Sequence, residues 1–425
     1  MIIDMFPAEN GDAFLIRFDN KKNILIDMGY ADTYKNHIKD SLLKIKNENQ
    51  CIDLLIITHI DEDHIEGAIE FFKENGSANN PNIIEVKEVW HNSYRHLQFD
   101  KKKICNITDF EKTQLEEIKL SNSRVVSKEI NETRQVSARQ GSTLAGYLYG
   151  LGYINNKWNS SFKGAAVSLD NKNEIEIDDI KIYLLSPDTN KLKNLSSLWM
   201  KRLRKIDADF SISDEEIFDD AYEMYIKKIK PNIGIDEDKN ISYDLTNFET
   251  FIKKDIKQGR KDSSKSNGAS IAFVLEYKEK RILFLGDSHE DIIIEGLKRY
   301  KESGKTLKFD VVKVSHHGSI KNNFKWIENI VADNYLISTN GEKHNHPSRE
   351  VIAKILKVNE QKKTLYFNYP VDIVNDIGKD KLKEKYNYSL VVGNRDSSLQ
   401  IEVSDRWWLI LKSKELKSVL FKLSV

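Results

Sequence analysis

Short apolar runs bounded by polar or turn-forming residues occur along much of the chain, and they predict a protein rich in strands. The runs lie at Met1–Phe6, Ala13–Phe18, Asn23–Asp27, Ile52–Thr58, Ile84–Trp90, Glu174–Leu185, Ser270–Tyr277, Arg281–Leu285, Phe309–Val314, Asp333–Ser338, Lys363–Phe367 and Leu399–Val403. Apolar residues with helical spacing predict helices at about residues 33–47, 65–73, 142–151 and 348–357. Strands that alternate with helices predict an α/β layer protein whose functional residues gather at strand ends.

Residues 188–265 differ from this pattern because they are charged and helical in character, with apolar residues such as Leu192 and Trp199 on one face. We interpret them as a helical insertion or cap within a single domain that spans residues 1–425. Their charged surface is a candidate docking site for a protein partner. The end of this segment, Gly259–Gly268, is predicted to be an exposed loop. Residues 364–425 are predicted to form a β-rich C-terminal extension of the same domain.

The composition excludes several classes of protein. Of the 425 residues, Lys and Arg together number 66, as do Asp and Glu, so the zero net charge gives no nucleic-acid signature and no polybasic membrane patch. No stretch approaches the roughly 20 apolar residues that a membrane helix needs, and the N-terminus lacks the features of a signal peptide. Two cysteines, Cys51 and Cys105, suit a reducing compartment. We therefore expect a cytoplasmic protein with no membrane partner.

Candidate metal ligands follow three of the predicted strands. His59, Asp61, Asp63 and His64 come directly after Ile52–Thr58, a strand apolar enough to be buried on both faces. In an extended segment, alternate side chains point the same way, and imidazole and carboxylate are usual ligands of zinc, manganese and iron. The helix that follows adds a positive dipole end, which favours an anionic substrate.

The other two strands end in Asp287 and in the pair His316–His317. Asp287 alone could be a helix cap, but paired histidines are costly to bury unless they bind a ligand or form hydrogen bonds. Ligand-type residues at three strand ends predict a metal site. Asn267 and Ser270 precede the strand before Asp287 and are candidates for holding the edge of the site, although loop chemistry explains them equally well.

Five short motifs carry a family resemblance: Asn-Gly-Asp near the start, Asp27-Met28-Gly29, THIDEDHIEG, LFLGD and VVKVSHHGS. In this order they resemble the metallo-β-lactamase superfamily. SHHGS and the later His346-Pro347 are most similar to the branch that contains the hydrolase domain of ComEC, and the phosphorylcholine esterases are similar in this respect. The resemblance implies an αββα sandwich with a dinuclear metal centre, of zinc or manganese, at one edge between the two sheets.

The resemblance also implies roles for individual residues. His59 and Asp61 would hold one metal ion, Asp63 and His64 the other, and Asp287 would bridge them. His317 would be a further ligand, with His316 as substrate contact or proton donor; the reverse assignment of the two stays open. His346 is a candidate contact for a substrate phosphate, with a turn residue as the equally good alternative.

The chain departs from the family pattern at two places. Most members have histidine where this chain has Asp61, and the third carboxylate makes the centre less positive, which favours manganese or magnesium-like ions over zinc. Many members also have another histidine ligand between the first motif and the bridging aspartate. His91 and His96 are candidates for it, but we interpret both as ordinary polar residues.

These observations predict a metal-dependent hydrolase that cleaves a phosphodiester by a metal-bridging hydroxide, with Asp63, His316 and His346 as catalytic residues. The expected substrate contains phosphate, and nucleic acid is a candidate, so the enzyme would be a phosphodiesterase or nuclease. One alternative is hydrolysis of a lactone, thioester or amide on the same centre, because a fold does not fix the bond cleaved. Another is a regulatory or scaffold subunit with a degenerate metal site, which the change at Asp61 motivates.

Overall fold

The first of two sheets contains six strands and includes both ends of the described chain. The computed structural model describes residues 1–97, 107–126, 143–210, 213, 215–228, 248–257 and 259–403. The strands of the first sheet are β1 Ile2–Met5, β2 Ala13–Arg17, β3 Asn23–Met28, β4 Ile52–Ile56, β5 Val86–Trp90 and β14 Leu399–Glu402. Their order is β14-β1-β2-β3-β4-β5. β14 to β3 pair antiparallel, whereas β3, β4 and β5 pair parallel.

The second sheet contains eight strands. They are β6 Glu174–Ile177, β7 Ile180–Ser186, β8 Ala272–Tyr277, β9 Lys280–Phe284, β10 Lys308–Lys313, β11 Val331–Ile337, β12 Lys363–Phe367 and β13 Tyr388–Val392. Their order is β13-β12-β11-β10-β9-β8-β7-β6. β6 to β9 form an antiparallel meander, and β9 to β13 are parallel. Each sheet therefore has a parallel part whose strands end at the same edge.

Helices connect the strands and cover the outer faces of the sheets. They are α1 Ala31–Thr33, α2 Lys39–Asn47, α3 Glu62–Asn75, α4 Asp109–Val126, α5 Leu144–Gly150, α6 Thr189–Ile206, α7 Glu216–Lys228, α8 Phe248–Lys253, α9 Lys265–Gly268, α10 Glu290–Glu302, α11 Arg349–Lys357, α12 Ile373–Ile377 and α13 Asp380–Lys385. A π-helical turn, Tyr34–Ile38, joins α1 to α2. Short 3₁₀ turns lie at Tyr94–Leu97, Ser160–Phe162, His316–Gly318 and Trp326–Asn329.

The alternation of side chains along each strand builds three apolar layers. In β2, Phe14 and Ile16 point between the sheets and pack with residues such as Phe273 and Phe284. Ala13 and Leu15 point the other way, into a core shared with α3, α6 and α7. A third core lies between the second sheet and α10 and α11. The architecture is therefore an αββα sandwich, and the predicted α/β class is confirmed.

Some predicted elements were wrong in detail. The single strand predicted at Glu174–Leu185 is a hairpin, because Asp178 adopts a left-handed conformation (φ 52°) and turns the chain between β6 and β7. Residues 364–403 contain α12 and α13 besides most of β12 and all of β13 and β14, so the described part of the predicted β-rich extension is mixed. Across the described ranges, helices are too short or too polar to cross a membrane.

Candidate metal centre

The parallel strands of both sheets end at one edge of the sandwich, and the predicted site residues meet there. β3 ends next to Asp27, and β4 is followed by the segment His59–His64. In the second sheet, β9 is followed by Asp287 and β10 by His316 and His317. Because the carboxyl ends of parallel strands share an edge, residues far apart in sequence form one cluster.

Four histidine side chains surround a single carboxylate oxygen, Oδ2 of Asp287. The Nε2 atoms lie at 3.8 Å for His59, 3.7 Å for His64, 3.9 Å for His316 and 3.5 Å for His317. These separations are too long for hydrogen bonds. We call the set His59, His64, Asp287 and His317 the Asp287 cluster, and each of its side chains is buried.

The opposite side of each ring in the cluster is held by the protein. Asp27 Oδ2 lies 2.8 Å from His64 Nδ1, and Asp27 also accepts hydrogen bonds from the backbone N–H and hydroxyl of Thr58. The same hydroxyl lies 3.0 Å from His59 Nδ1, and His317 Nδ1 lies 2.9 Å from the carbonyl oxygen of Ser338. With Nδ1 fixed, each ring presents Nε2 to the centre, which is how ligating histidines are commonly oriented.

The fit of these residues to metal ions can be judged from the buried nitrogen atoms. Nε2 of His59, His64 and His317 has no hydrogen-bond partner among the residues that the structure describes. Buried polar atoms are rarely left unpaired, so their convergence requires an explanation. Two donor atoms that bind the same ion, each at about 2.0–2.2 Å from it, lie roughly 3–4 Å apart, and the donor atoms here have this spacing. The donor set therefore fits divalent metal.

Potential ligands form four overlapping groups among the described residues; two consist only of predicted ligands, and the other two include Asp12. The donor atoms of His59, His64 and Asp287 lie within 4.8 Å of one another, and so do those of Asp63, His64 and His317. His64 belongs to both groups, whereas the resemblance placed it with Asp63 alone. Asp287 Oδ2 lies within 4 Å of a histidine from each group, which suits a shared ligand.

Asp63 is held beside the cluster by the loop between β1 and β2. Its Oδ2 accepts a hydrogen bond from Asn10 Nδ2 (2.8 Å) and lies 3.7 Å from His317 Nε2. Gly11 makes this approach possible, because a Cβ at that position would lie 1.9 Å from the backbone oxygen of Asp63. The Asn-Gly-Asp motif thus brings the loop against the first turn of α3.

Asp61 lies at the rim of the cluster, with its side chain about one-third exposed. Its Oδ2 is 3.5 Å from His59 Nε2, and its Oδ1 accepts a hydrogen bond from Ser266 Oγ (2.7 Å). Ser266 belongs to α9, inside the segment Gly259–Gly268 that was predicted to be an exposed loop. That prediction was wrong for residues 266–268, which are buried because the segment folds over the site.

His316 and His317 have left-handed backbones, with φ values of 44° and 53°. Such values are uncommon for residues with a Cβ and occur where surrounding structure fixes the chain. The two consecutive rings consequently both face Asp287. Of the two, only His317 belongs to the groups of potential ligands. The His316 side chain is 21% exposed, so it lies on the side of the cluster that faces solvent, which we call the open side.

Asp12 and Lys313 are site residues that sequence reasoning did not identify. The Lys313 side chain is 1% exposed; its ammonium forms an ion pair with Asp12, donates to the carbonyl of Gly286 and lies 3.8 Å from Asp287 Oδ1. Asp12 is part of the Asn-Gly-Asp motif, which by itself does not indicate a buried ion pair. The sequence signal for Lys313 is a lysine within the apolar run VVKV. Because β10 is covered on both faces, a lysine there has to be buried, which is rare without a charged partner.

The charges of the site shift several pKa values in the absence of metal. Burial would raise the pKa of Asp287, but the surrounding histidines, His317 foremost, hold it well below its usual range. Burial would lower the pKa of His316, but Asp287 and Asp262 outweigh it and raise that pKa to about 9. Burial and the neighbouring His316 hold the pKa of His346 well below its usual range, so His346 is neutral.

His346 packs near the site rather than within the ligand groups. Its ring centroid lies 5.5 Å from that of His316 and 5.9 Å from that of His344. Its Nδ1 atom is buried and has no hydrogen-bond partner in the described part of the chain. The structure therefore places His346 next to His316 and outside the ligand groups.

His91 and His96 lie outside the ligand groups. His91 Nε2 is 2.6 Å from Glu223 Oε1 on α7, and His96 Nδ1 accepts a hydrogen bond from the backbone N–H of Ser93. Burial holds the pKa of His96 well below its usual range. Each histidine thus has a hydrogen-bond partner within the protein, although His91 Nδ1 is buried without one in the described part of the chain.

The first part of the chain is similar to a known family. Residues 7–114 match the family model described as the metallo-beta-lactamase superfamily. The match includes the motif His59–His64, whereas Asp287 and His317 lie beyond it. No curated protein matches this sequence.

Among the solved structures that are similar to the chain, two illustrate the low identity. A variant of the CmlA beta-hydroxylase aligns with a TM-score of 0.33 and 10% sequence identity over 94% of this chain and 54% of that chain. This chain thus spans about half the length of that hydroxylase. A protein of unknown function from Enterococcus faecalis V583 aligns with a TM-score of 0.24 and 8% identity over 92% of this chain and 76% of that chain.

Proposed function

We propose that this protein is a metal-dependent hydrolase that cleaves phosphodiesters. The observation that carries the proposal is the convergence of four imidazole Nε2 atoms on Asp287 Oδ2, at 3.5–3.9 Å, with three of them unpaired and buried. A cluster of this kind has no purpose in packing, because each unpaired buried nitrogen costs stability. It is expected where a protein keeps a preformed site for cations.

The residues divide into two groups around the shared carboxylate. His59 and Asp61 would hold one ion, Asp63 and His317 the other, and His64 and Asp287 lie between them. Bound divalent ions supply Lewis acidity and lower the pKa of water at the site. Lys313 neutralises Asp12 at the base of the cluster, so that carboxylate does not compete for the ions.

Two residues of the chain are placed to move protons. The Asp63 carboxylate, held by Asn10, accepts the proton that an attacking water loses. His316 Nε2 faces the centre from the open side and gives its proton to the leaving oxygen. His346, neutral and next to His316, contacts the bound phosphate group.

Three features favour a phosphodiester among possible substrates. His316 adds a cationic donor beside the centre, and α3 directs its N-terminal end towards it, so an anionic group is favoured there. The SHHGS motif and His346-Pro347 add the resemblance to hydrolases of phosphate esters. Nucleic acid is one candidate within this class.

The proposal is tested with purified protein loaded with manganese or zinc. We expect cleavage of bis-p-nitrophenyl phosphate, single-stranded DNA or RNA, loss of this activity in Asp63→Ala, and its retention in Glu62→Ala, which removes a neighbouring carboxylate. Turnover of lactones or thioesters, with none of any phosphodiester, would show that the proposed bond is wrong. Unchanged phosphodiesterase activity in Asp63→Ala would remove the role assigned to that residue.

Asp61 provides a prediction about metal identity. Its carboxylate makes the centre less positive and harder than a histidine would, so we expect higher activity with manganese than with zinc. Asp61→His is expected to reverse this order. The measurement is activity after dialysis against a chelator and reconstitution with each metal, and full activity of the wild type in zinc with none in manganese would contradict it.

A further inference from the structure

The Nδ1 side of the His316 ring is enclosed by three side chains from two distant segments. Nδ1 lies 3.0 Å from Asn322 Oδ1, 3.3 Å from Asp262 Oδ2 and 3.4 Å from Asn267 Nδ2. Two of these neighbours are acceptors, so Nδ1 carries a proton and donates it. The other nitrogen, Nε2, consequently faces Asp287 and the open side of the metal centre.

Asp262 is itself fixed. Its side chain is 8% exposed, although it lies in the charged run GRKDSSKSNG. Oδ1 accepts from the backbone N–H of Ser264 (2.8 Å), and Oδ2 accepts from Asn267 Nδ2 (2.8 Å) and Asn322 Nδ2 (3.0 Å). Three donors therefore hold a carboxylate in one orientation beside His316.

Asn322 links this arrangement to the ligand segment. Its Nδ2 donates to the carbonyl oxygens of Asp287 and Ser288 as well as to Asp262, while its Oδ1 accepts from His316. The residue is fully buried. The position of the His316 ring is thus tied to the backbone that carries Asp287.

We propose that Asp262 is a positioning residue, which with Asn322 fixes the His316 ring so that Nε2 can deliver a proton to the leaving oxygen of a phosphodiester. This inference rests on the proposed function. In the step considered, the attacking water oxygen forms the new P–O bond and gives a proton to Asp63. The bond from phosphorus to the leaving oxygen breaks, and that oxygen takes the proton from His316 Nε2.

A purely structural role for Asp262 makes a different prediction. Asp262 also closes a turn by accepting from Ser264, and loss of that turn would slow all substrates alike. Loss of a positioned proton donor slows substrates in proportion to how much their leaving oxygen needs a proton. p-Nitrophenolate leaves readily without one, whereas an alkoxide does not.

The first test compares diesters with good and poor leaving groups. Asp262→Ala and His316→Ala are expected to slow kcat about 100-fold for a diester with an alkyl leaving group and under about tenfold for bis-p-nitrophenyl phosphate. The double variant is expected to be no slower than the slower single variant, because the two residues act as a unit. Asp262→Asn retains one acceptor and is expected to be intermediate.

Asp310→Asn is the matched control, because Asp310 also accepts a backbone N–H but lies at the start of β10, away from the site. It is expected to have wild-type rates on both diesters. Equal slowing of both diesters by Asp262→Ala, or additive losses in the double variant, would overturn the proposal.

The second test does not depend on activity. In metal-free protein labelled with ¹⁵N-histidine, the hydrogen-bonded Nδ1 proton of His316 is expected to give a downfield signal, assigned by its loss in His316→Ala. The signal should be shifted or lost in Asp262→Ala and unchanged in Asp310→Asn. An unchanged signal in Asp262→Ala would overturn the positioning role, whereas absence of phosphodiesterase activity with the predicted signal change would refute only the proposed function.

Discussion

The described part of the molecule contains two buried clusters of histidine and carboxylate whose hydrogen bonding differs. In the Asp287 cluster, Nε2 atoms approach the carboxylate no closer than 3.5 Å and remain unpaired. The second, which we call the Glu223 cluster, comprises His91, Asp219, Asp220 and Glu223. There His91 Nε2 is 2.6 Å from Glu223, and all three carboxylates accept hydrogen bonds.

The Glu223 cluster attaches α7 to the rest of the fold. Asp219 accepts from the backbone N–H of Arg95 and from Tyr149, Asp220 accepts from Thr143 and Lys119, and Glu223 accepts from the backbone N–H of Ala145. Its carboxylates are thus satisfied by the protein, whereas the nitrogens of the Asp287 cluster are oriented and left open. Residue types alone do not separate the two clusters, and His91 Nδ1 is also unpaired; the difference is that three unpaired nitrogens converge on one carboxylate in the Asp287 cluster.

The largest difference between the clusters should follow loss of Asp287. Asp287→Ala removes the carboxylate that lies within 4 Å of a histidine from each ligand group, so we expect activity to fall about a thousandfold or more, equivalent to about 4 kcal/mol of transition-state stabilisation. Metal content should also fall. Retention of metal and activity by Asp287→Ala would contradict the proposed difference between the two clusters.

Loss of Glu223 should have the opposite signature. Glu223→Ala leaves His91 Nε2 and the Ala145 N–H without their acceptor, so we expect the free energy of unfolding to fall by about 3 kcal/mol or more. Urea denaturation in a chelating buffer measures it. Metal content of the folded variant should equal that of the wild type, and Glu223→Gln, which keeps an acceptor, should lose less. A loss of metal without a loss of stability would show that Glu223 supports metal binding rather than the fold, which contradicts this prediction.

Protonation of Asp219 makes the contribution of the Glu223 cluster to stability depend on pH. Burial is the largest cause that raises its pKa to about 6, above the unfolded value near 4. Between these values the folded state binds the extra proton, so the contribution of Asp219 to stability declines as pH rises from about 4 to about 6 and is constant above. The wild type should lose up to about 3 kcal/mol relative to Asp219→Asn over that interval. A difference independent of pH would contradict this assignment.

A smaller effect is expected from substitution of Asp27, which orients His64 but is not one of the proposed metal ligands. Asp27→Asn replaces one carboxylate oxygen with an amide nitrogen, so Asp27 Oδ2 can no longer serve as acceptor for both the Thr58 hydroxyl and His64 Nδ1. We expect metal affinity to fall about 10- to 100-fold, measured by competition with a chromogenic chelator. Asp53→Asn is the control, since Asp53 is also buried and accepts a backbone N–H but lies at the other end of β4. Equal affinities in both variants would show that Asp27 does not tune the site.

Much of the Asp287 cluster could be predicted from sequence because its residues directly follow apolar runs. His59–His64, Asp287 and His317 are each adjacent to a strand whose pattern is local. Asp262 could not be predicted this way, because its contact with His316 spans residues that only the tertiary fold brings together. The run around it has the composition of an exposed loop.

The Glu223 cluster was missed for a related reason. Asp219, Asp220 and Glu223 lie in a charged segment whose pattern is typical of a solvated helix face. They are buried because α7 turns this face towards His91 and the backbone of residues 93–95 and 145. The strand β13 was also missed, since its residues are only partly buried and it lies at the edge of the second sheet. The pattern of apolar residues therefore predicted layers and strand ends, but not which polar faces become buried.

Anomalous diffraction from crystals of the 425-residue protein soaked in manganese would show where ions bind. We expect a peak within about 2.0–2.3 Å of His64 Nε2 and Asp287 Oδ2, and none within the Glu223 cluster. Absence of a peak at Asp287, with the Nε2 atoms still 3.5 Å or more from its carboxylate, would contradict the assignment of a metal centre.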